Sequence, residues 1–255
     1  MSKLILGSMP IGDEDLSPQM RKAFKEADVI LVEYADAFYE QIKQYEIEYT
    51  GEVIAVIEAG QTEKSTSVDE KIEHRLGLGK SVLFITENGY PTIAGPGYDY
   101  ILIARKANRK VTIIPGPSIT STAYVVSGIT SRDRSYVAKN FIGKTKDEKR
   151  EMYSRVAFSG SVVVILDDIN SMIDNLEMIV EEAIYNREVC FIKNLYTETE
   201  EVRLGDIGSI LFYLKSLNIQ EDLEFDGEFD IRENDKVVLV IGSLLKELEG
   251  DIDQD

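Results

Sequence analysis

Residues 81–97 read SVLFITENGYPTIAGPG, and this stretch decides the fold. Its first seven residues form a mostly apolar run that predicts a buried strand, and the remainder is a loop rich in glycine and proline. Glycine lets the backbone approach a ligand closely, whereas proline fixes the shape of a loop. A strand followed by such a loop is typical of the carboxyl edge of an open α/β sheet, where ligands bind.

Short apolar runs alternate with longer amphipathic segments on both sides of this stretch. The strands predicted in the first half lie at 4–7, 29–33, 52–58, 81–87 and 110–116. Helices are predicted between them, and an apolar helix follows over 118–127. Strand, helix and strand in this order build a largely parallel sheet.

The second half has a different pattern. Its predicted strands lie near 135–141, 161–166, 188–194, 199–204 and 236–242. The strands near 190 and 200 have no helix between them, which indicates an antiparallel hairpin and a mixed sheet. We therefore predict an N-terminal α/β domain over 1–117 and a C-terminal mixed-sheet α/β domain over 118–255. The second domain includes an acidic loop over 218–235 and an acidic tail over 246–255.

Composition limits the class of protein. Among 255 residues, 44% are hydrophobic and 29% are charged, as in an ordinary globular chain. No apolar run reaches the roughly 18–20 residues that a bilayer span needs, and the N-terminal run is too short for a signal peptide. Cys190 is the only cysteine, so an internal disulfide is excluded. We expect a soluble, cytoplasmic protein without a membrane partner.

The charge is strongly negative but unevenly distributed. Lys and Arg number 28 and Asp and Glu 46, which gives a net charge of −18 and argues against polyanionic partners. More than half of that excess lies in 221–235 and 246–255. By contrast, residues 132–155 hold eight bases and four acids. This basic segment is either a solvated pair of helix faces or a rim that contacts phosphate.

Metal and nucleophile sites are not indicated. His74 is the only histidine, and neither it nor Cys190 has partners at ligand spacing, so we predict no metal. The GKS at 79–81 lacks the upstream glycine of a phosphate-binding loop and lies between a helix and a strand, the wrong order.

Three loops remain as candidates for a binding site, and each follows a predicted strand. They span 7–13, 86–97 and 115–118 and are named here the first, second and third loops. Ser118 of the third loop is placed to begin a helix, whose N-terminal amides favour an anionic group such as a carboxylate. Turn chemistry alone would also supply glycine and proline in any one of these loops.

The order and wording of the loops are more specific. They contain PIG (10–12), ENGYPTIAGPGY (87–98) and IIPGPS (113–118). This pattern resembles the tetrapyrrole (corrin/porphyrin) methylase superfamily, which uses S-adenosylmethionine (SAM). It is most similar to the 16S rRNA (cytidine 2′-O-ribose) methyltransferases, which have TPIGN, SDAGTPGISDPG and PIPGPSA at these places. The resemblance covers nearly the whole chain.

The resemblance implies a two-domain fold with SAM in the cleft between the domains, the first domain also forming part of the acceptor cleft. It also implies a homodimer. Carried over position by position, the cofactor-binding residues are Pro10, Asn88, Gly89, Tyr90, Ile93, Ala94, Pro115, Gly116, Ser118 and Leu166. Backbone amides suit the SAM carboxylate and apolar side chains suit its adenine.

The acceptor side departs from the family pattern. Where the rRNA enzymes have AEDTR, this chain has VEYAD at 32–36, so Tyr34 replaces an acid and Asp36 replaces an arginine. These differences leave three hypotheses open. The chain is an rRNA-type methyltransferase, a methyltransferase of a small molecule or protein, or a SAM-binding protein without transfer activity.

Methyl transfer to a ribose hydroxyl is an in-line displacement that needs a base for the departing proton. The candidate bases are acids at strand ends, namely Glu33, Glu87 and Asp167. An acceptor RNA or ribosomal subunit would need cationic contacts to its phosphates. The candidates for these contacts are Lys139, Lys144, Lys149 and Arg150.

Overall fold

Two five-stranded sheets organise the chain, one in each of two units that comprise Met1–Ile119 and Thr120–Asp255. The computed structural model describes residues 2–57, 66–93, 95–131, 134–141, 144–157, 160–181, 187–221 and 236–242. The division between the units falls two residues beyond the predicted boundary at 117.

The first unit is built on a fully parallel sheet. Its strands are β1 (Lys3–Gly7), β2 (Val29–Tyr34), β3 (Glu52–Ile57), β4 (Val82–Ile85) and β5 (Lys110–Ile114). The helices are α1 (Pro18–Glu26), α2 (Ala35–Gln44), α3 (Thr66–Gly77), α4 (Tyr98–Lys106) and α5 (Ile119–Ser127), the last of which continues into the second unit. The strand order is β3-β2-β4-β1-β5 and every pairing is parallel, which confirms the predicted α/β architecture.

Burial on both faces explains why the central strands are continuous apolar runs. Val82 and Phe84 of β4 pack in one hydrophobic cluster, and Leu83 and Ile85 pack in the other. Residues of β2 alternate between the same two clusters. Helix α1 begins at Pro18, where the Ser17 hydroxyl accepts a hydrogen bond from Met20 N at 3.2 Å.

The second unit has a mixed sheet. Its elements are β6 (Tyr136–Asn140), α6 (Lys146–Ala157), β7 (Val162–Asp168), α7 (Ile169–Glu181), β8 (Glu188–Lys193), β9 (Glu201–Asp206), α8 (Ile207–Glu221) and β10 (Lys236–Ile241). The order is β6-β7-β10-β8-β9, in which only β6 and β7 pair in parallel. The β8–β9 hairpin confirms the prediction of an antiparallel pair near 190 and 200.

The acidic segments are only partly described. Helix α8 continues to Glu221, so residues 218–221 are helical and the prediction of a loop there is wrong. The rest of the predicted acidic loop and the acidic tail over 246–255 lie outside the described residues. Among the helices that the structure describes, none is both long and apolar enough to cross a membrane.

Asp28 joins the beginnings of two central strands. Its carboxylate accepts hydrogen bonds from Ser81 N at 2.8 Å, the Ser81 hydroxyl at 2.9 Å and Lys80 Nζ at 2.9 Å. These bonds, the backbone bond from Ser81 first, lower the pKa of Asp28 to about 2. The folded state therefore favours the ionised carboxylate.

We expect Asp28→Asn to make the unfolding free energy less dependent on pH. A lowered pKa stabilises the folded state at pH values above about 4, and that stabilisation disappears as the pH falls toward 2. Urea unfolding should show the largest difference between wild type and variant at pH 6 and a smaller one at pH 3. Glu26→Gln on the exposed surface of α1 is the control. An equal difference at both pH values would contradict this account.

Candidate cofactor and acceptor site

Backbone hydrogen bonds join the first and second loops. Met9 N donates to Gly89 O at 2.9 Å, and Gly89 N donates to Met9 O at 3.1 Å. This bridge forms because β1 and β4 are parallel neighbours, so both loops leave the carboxyl edge of the sheet side by side. The two loops therefore form one continuous surface.

The third loop is held to the same surface by Ser8 and Tyr90. Ser8 is 3% exposed, and its hydroxyl donates to Pro117 O at 2.6 Å. The Tyr90 hydroxyl accepts a hydrogen bond from Gly116 N at 2.8 Å. Sequence analysis gave Ser8 no role, because the partner of its hydroxyl lies more than a hundred residues away.

Two glycines allow the close approach of these loops. A Cβ on Gly116 would lie 2.8 Å from the Cβ and Oγ of Ser8, too near for both side chains. Gly89 has a φ of +65°, and a Cβ there would lie 3.6 Å from Pro117 O. Gly116 is therefore required by the packing of the third loop on Ser8, and Gly89 is favoured by its positive φ.

Most predicted cofactor residues lie on the joined loops of the first unit. These are Pro10, Asn88, Gly89, Tyr90, Ile93, Pro115, Gly116 and Ser118. Ala94 lies outside the described residues. Leu166 belongs to the second unit, where it is buried in β7 and its carbonyl accepts a hydrogen bond from Phe141 N at 2.8 Å. Its predicted contact with adenine stays a prediction.

Two candidate bases, Glu33 and Glu87, line one small recess at the carboxyl ends of β2 and β4. This recess, named here the Glu33 recess, is narrow and partly open to solvent, and it is also lined by Val32, Tyr34, Ala37, Phe38, Gln41, Ile85 and Thr86. A Cβ on Gly95 would lie 3.8 Å from both carboxylate oxygens of Glu33, so this carboxylate faces the second loop.

Gln41 lines the Glu33 recess and holds the backbone of Glu87 in place. Its Nε2 donates to Glu87 O at 2.5 Å and ties α2 to the second loop. Gln41 could not be predicted as a site residue, because a glutamine in an amphipathic helix does not by itself indicate a binding site. Together the recess offers two carboxylates, which can accept a proton, beside the exposed ring of Tyr34.

The third candidate base is placed differently. Asp167 is fully buried in β7, and both of its oxygens accept hydrogen bonds from Lys149 Nζ at 2.9 and 2.8 Å. Lys149 is itself only 5% exposed. A buried ammonium held by a carboxylate is not available to a phosphate, and a fully buried carboxylate does not reach an acceptor. The structure therefore contradicts the predicted roles of Asp167 and Lys149.

Helix geometry explains this correction. Lys149 lies three residues before Met152, which packs against the core of the second unit, so both face the sheet. The other predicted phosphate contacts differ, since Lys144 and Arg150 are exposed and Lys139 is half-buried on β6. Their contact with RNA stays a prediction.

The remaining reactive side chains lie away from these loops and the Glu33 recess. His74 is exposed on α3. Cys190 is buried in β8, and this burial raises the pKa of its thiol to about 11. In the part of the chain that the structure describes, no group of three or more potential ligands could hold a metal ion.

The α/β fold of this chain is shared by solved methyltransferases. Uroporphyrin-III C-methyl transferase from Thermus thermophilus, solved with S-adenyl homocysteine, superposes with a TM-score of 0.58 at 15% identity, covering 97% of this chain and 100% of that one. At this identity the likeness shows the fold alone.

The chain belongs to the family of Tetrapyrrole (Corrin/Porphyrin) Methylases, whose sequence profile matches residues 3–211. It is similar to Ribosomal RNA small subunit methyltransferase I of Rickettsia prowazekii (strain Madrid E), with 26% identity over 84% of this chain and 74% of the relative. The protein of the same name from Thermotoga maritima is 25% identical over 84% of this chain and 93% of the relative. The chain is a SAM-dependent methyltransferase.

We expect Asp167→Asn to destabilise the second unit strongly. The substitution leaves the Lys149 ammonium buried without its counter-charge, and breaking a buried ion pair in this way costs about 3–5 kcal/mol of unfolding free energy. Thermal and urea unfolding measure the loss. Lys146→Met is the matched control, because it breaks an exposed pair with Asp174 and should cost under about 1 kcal/mol. Equal losses in the two variants would show that the buried pair is not a stabilising contact.

Proposed function

We propose that the chain transfers a methyl group from SAM to a ribose hydroxyl of small-subunit ribosomal RNA. The observation that carries the proposal is the union of three loops beside a recess with two carboxylates. The relatives named Ribosomal RNA small subunit methyltransferase I, which align over most of the chain, support the choice of acceptor. Action on ribosomal RNA would place the protein in the cytoplasm.

In this proposal the joined loops bind the cofactor. Gly116 allows the third loop to pack on Ser8, so the three loops can hold SAM together, and the third loop leads into α5 at Ile119. The first amides of a helix lack partners within the helix and attract an anion, which suits the SAM carboxylate. Bound SAM supplies a methyl group that its sulfonium already activates.

The acids of the Glu33 recess accept the proton in this proposal. The acceptor oxygen must lie about 3–3.5 Å from the methyl carbon, in line with the bond that breaks. Glu33 is the first candidate base because its carboxylate faces the second loop. Glu87 is the second, and the hydrogen bond from Gln41 fixes its backbone.

One observation favours a different acceptor. The Glu33 recess holds two acids, the exposed Tyr34 lines it, and the exposed Asp36 follows Tyr34 in the chain. An acidic site suits a neutral or cationic small molecule or protein better than a polyanion.

We also propose a homodimer, on the family resemblance, and sedimentation of the purified protein tests it.

Gly116→Ala should weaken SAM binding about tenfold, which is about 1.4 kcal/mol. The added methyl group collides with Ser8 and separates the third loop from the first, while the sheets remain unchanged. Titration calorimetry with SAM measures the affinity. Gly77→Ala is the matched control, since a Cβ there would meet no atom within 4 Å. An unchanged affinity in Gly116→Ala would place SAM elsewhere.

We expect Glu33→Gln to lower kcat about 100-fold or more, because an amide cannot accept the ribose proton. The assay offers radiolabelled SAM with small ribosomal subunits, extract protein or a small-molecule fraction. SAM affinity should change less than about threefold in the variant. Glu40→Gln, exposed on α2, is the control.

The outcomes separate the hypotheses. Label in ribosomal RNA that Glu33→Gln abolishes supports the proposal. Label in protein or in the small-molecule fraction instead would establish the alternative acceptor. Tight SAM binding without transfer to any fraction would indicate a binding protein.

A further inference from the structure

A second recess lies between the first turns of α6 and α7. These helices follow the parallel strands β6 and β7, so both begin at the same edge of the second sheet. The space, named here the lysine recess, is partly open to solvent. Its walls are Lys144, Lys146, Lys149, Ser171, Asp174 and Met178, all in the second unit.

The lysine recess concentrates hydrogen-bond donors. Lys144, Lys146, Lys149 and Ser171 line it, and because the Lys149 ammonium is bonded to Asp167, the lysines that can reach a ligand are Lys144 and Lys146. The buried Lys149 is held by Asp167, so it acts as a positioning residue that fixes the beginning of α6 against β7. Such a fixed helix keeps the flanking lysines in a constant place relative to α7.

The two outer lysines are paired only weakly. Lys146 lies 3.2 Å from an oxygen of Asp174, and Lys144 lies 3.7 Å from an oxygen of Glu148. Their side chains are 65% and 44% exposed, and exposed pairs of this kind contribute at most about 1 kcal/mol. A phosphate that enters the recess can therefore replace these carboxylates as the partner of both ammonium groups.

Glu148 also caps the beginning of α6. Its carboxylate accepts hydrogen bonds from Thr145 N at 2.8 Å and Thr145 Oγ1 at 2.9 Å, which closes a capping box at the beginning of α6. These bonds hold Glu148 in the cap when Lys144 moves to a ligand. Glu148 and Asp174 offset part of the lysine charge. The recess is therefore a local donor site and not a broad positive surface.

We propose that the lysine recess binds one backbone phosphate of the RNA acceptor. This inference rests on the proposed function, since it assumes that the acceptor is RNA. It adds Lys146 and Ser171 to the RNA contacts, keeps Lys144 and reassigns Lys149 from a phosphate contact to a positioning residue. A phosphodiester is the ligand because the recess is open to solvent and the exposed ammonium groups of Lys144 and Lys146 attract an anion.

The test compares Lys144→Ala/Lys146→Ala with Lys22→Ala/Lys25→Ala, which removes the same charge from α1 in the first unit. Fluorescence anisotropy with a labelled 16S rRNA fragment measures affinity between 50 and 300 mM salt. The recess variant should bind about tenfold more weakly, and its slope of log affinity against log salt should be shallower by about 1.

Ser171→Ala gives a second readout. It removes a hydrogen bond but no charge, so we expect affinity to fall about threefold with the salt slope unchanged. SAM affinity by calorimetry should equal that of wild type in both recess variants. A merely structural loss would change SAM affinity and unfolding together with RNA binding.

Each failure is distinguishable. Equal losses in the recess variant and the α1 control would overturn the inference, because any surface lysine would then serve. Binding of inorganic phosphate to the recess without a change in RNA affinity in the variant would also overturn it and assign a free-anion site. If the wild type neither binds nor methylates RNA, the proposed function itself fails.

Discussion

The pair of backbone hydrogen bonds between Met9 and Gly89 is the contact on which the candidate site depends. It requires neighbouring parallel strands and a positive φ at Gly89, and it brings together loops that lie eighty residues apart in the chain. Ser8 and Tyr90 then attach the third loop to the same surface. The contact between the first and second loops is thus made by main-chain groups, which tolerate many side-chain changes.

The positions of individual charged side chains matter more than the net charge for the local electrostatics of this protein. A chain with a net charge of −18 still holds three lysines around one recess of its second unit. The same principle explains Lys149 and Asp167, whose charges neutralise each other in the interior and leave no field at the surface. A site for an anion in this protein therefore requires lysines whose ion pairs are exposed to solvent, as those of Lys144 and Lys146 are.

The sequence was sufficient for the architecture, because the apolar runs of β2 and β4 and the loop after Glu87 carry local signals. It was insufficient for Ser8 and Gln41, whose partners come from distant segments. It was wrong for Lys149 because a basic stretch does not show which helix face packs on the sheet. Residues 218–221 were wrongly included in the acidic loop, since they hold only one acid, Glu221, and α8 still continues there.

The loop bridge also has a consequence for biosynthesis. Because the first loop is bonded to the second and third loops, the three loops join only after residues up to Ile119 have left the ribosome and the five parallel strands have assembled. In the proposed function SAM would bind only the finished sheet, and its free energy of binding would add to the stability of the whole first unit. A nascent chain that stalls earlier would then have no site for SAM.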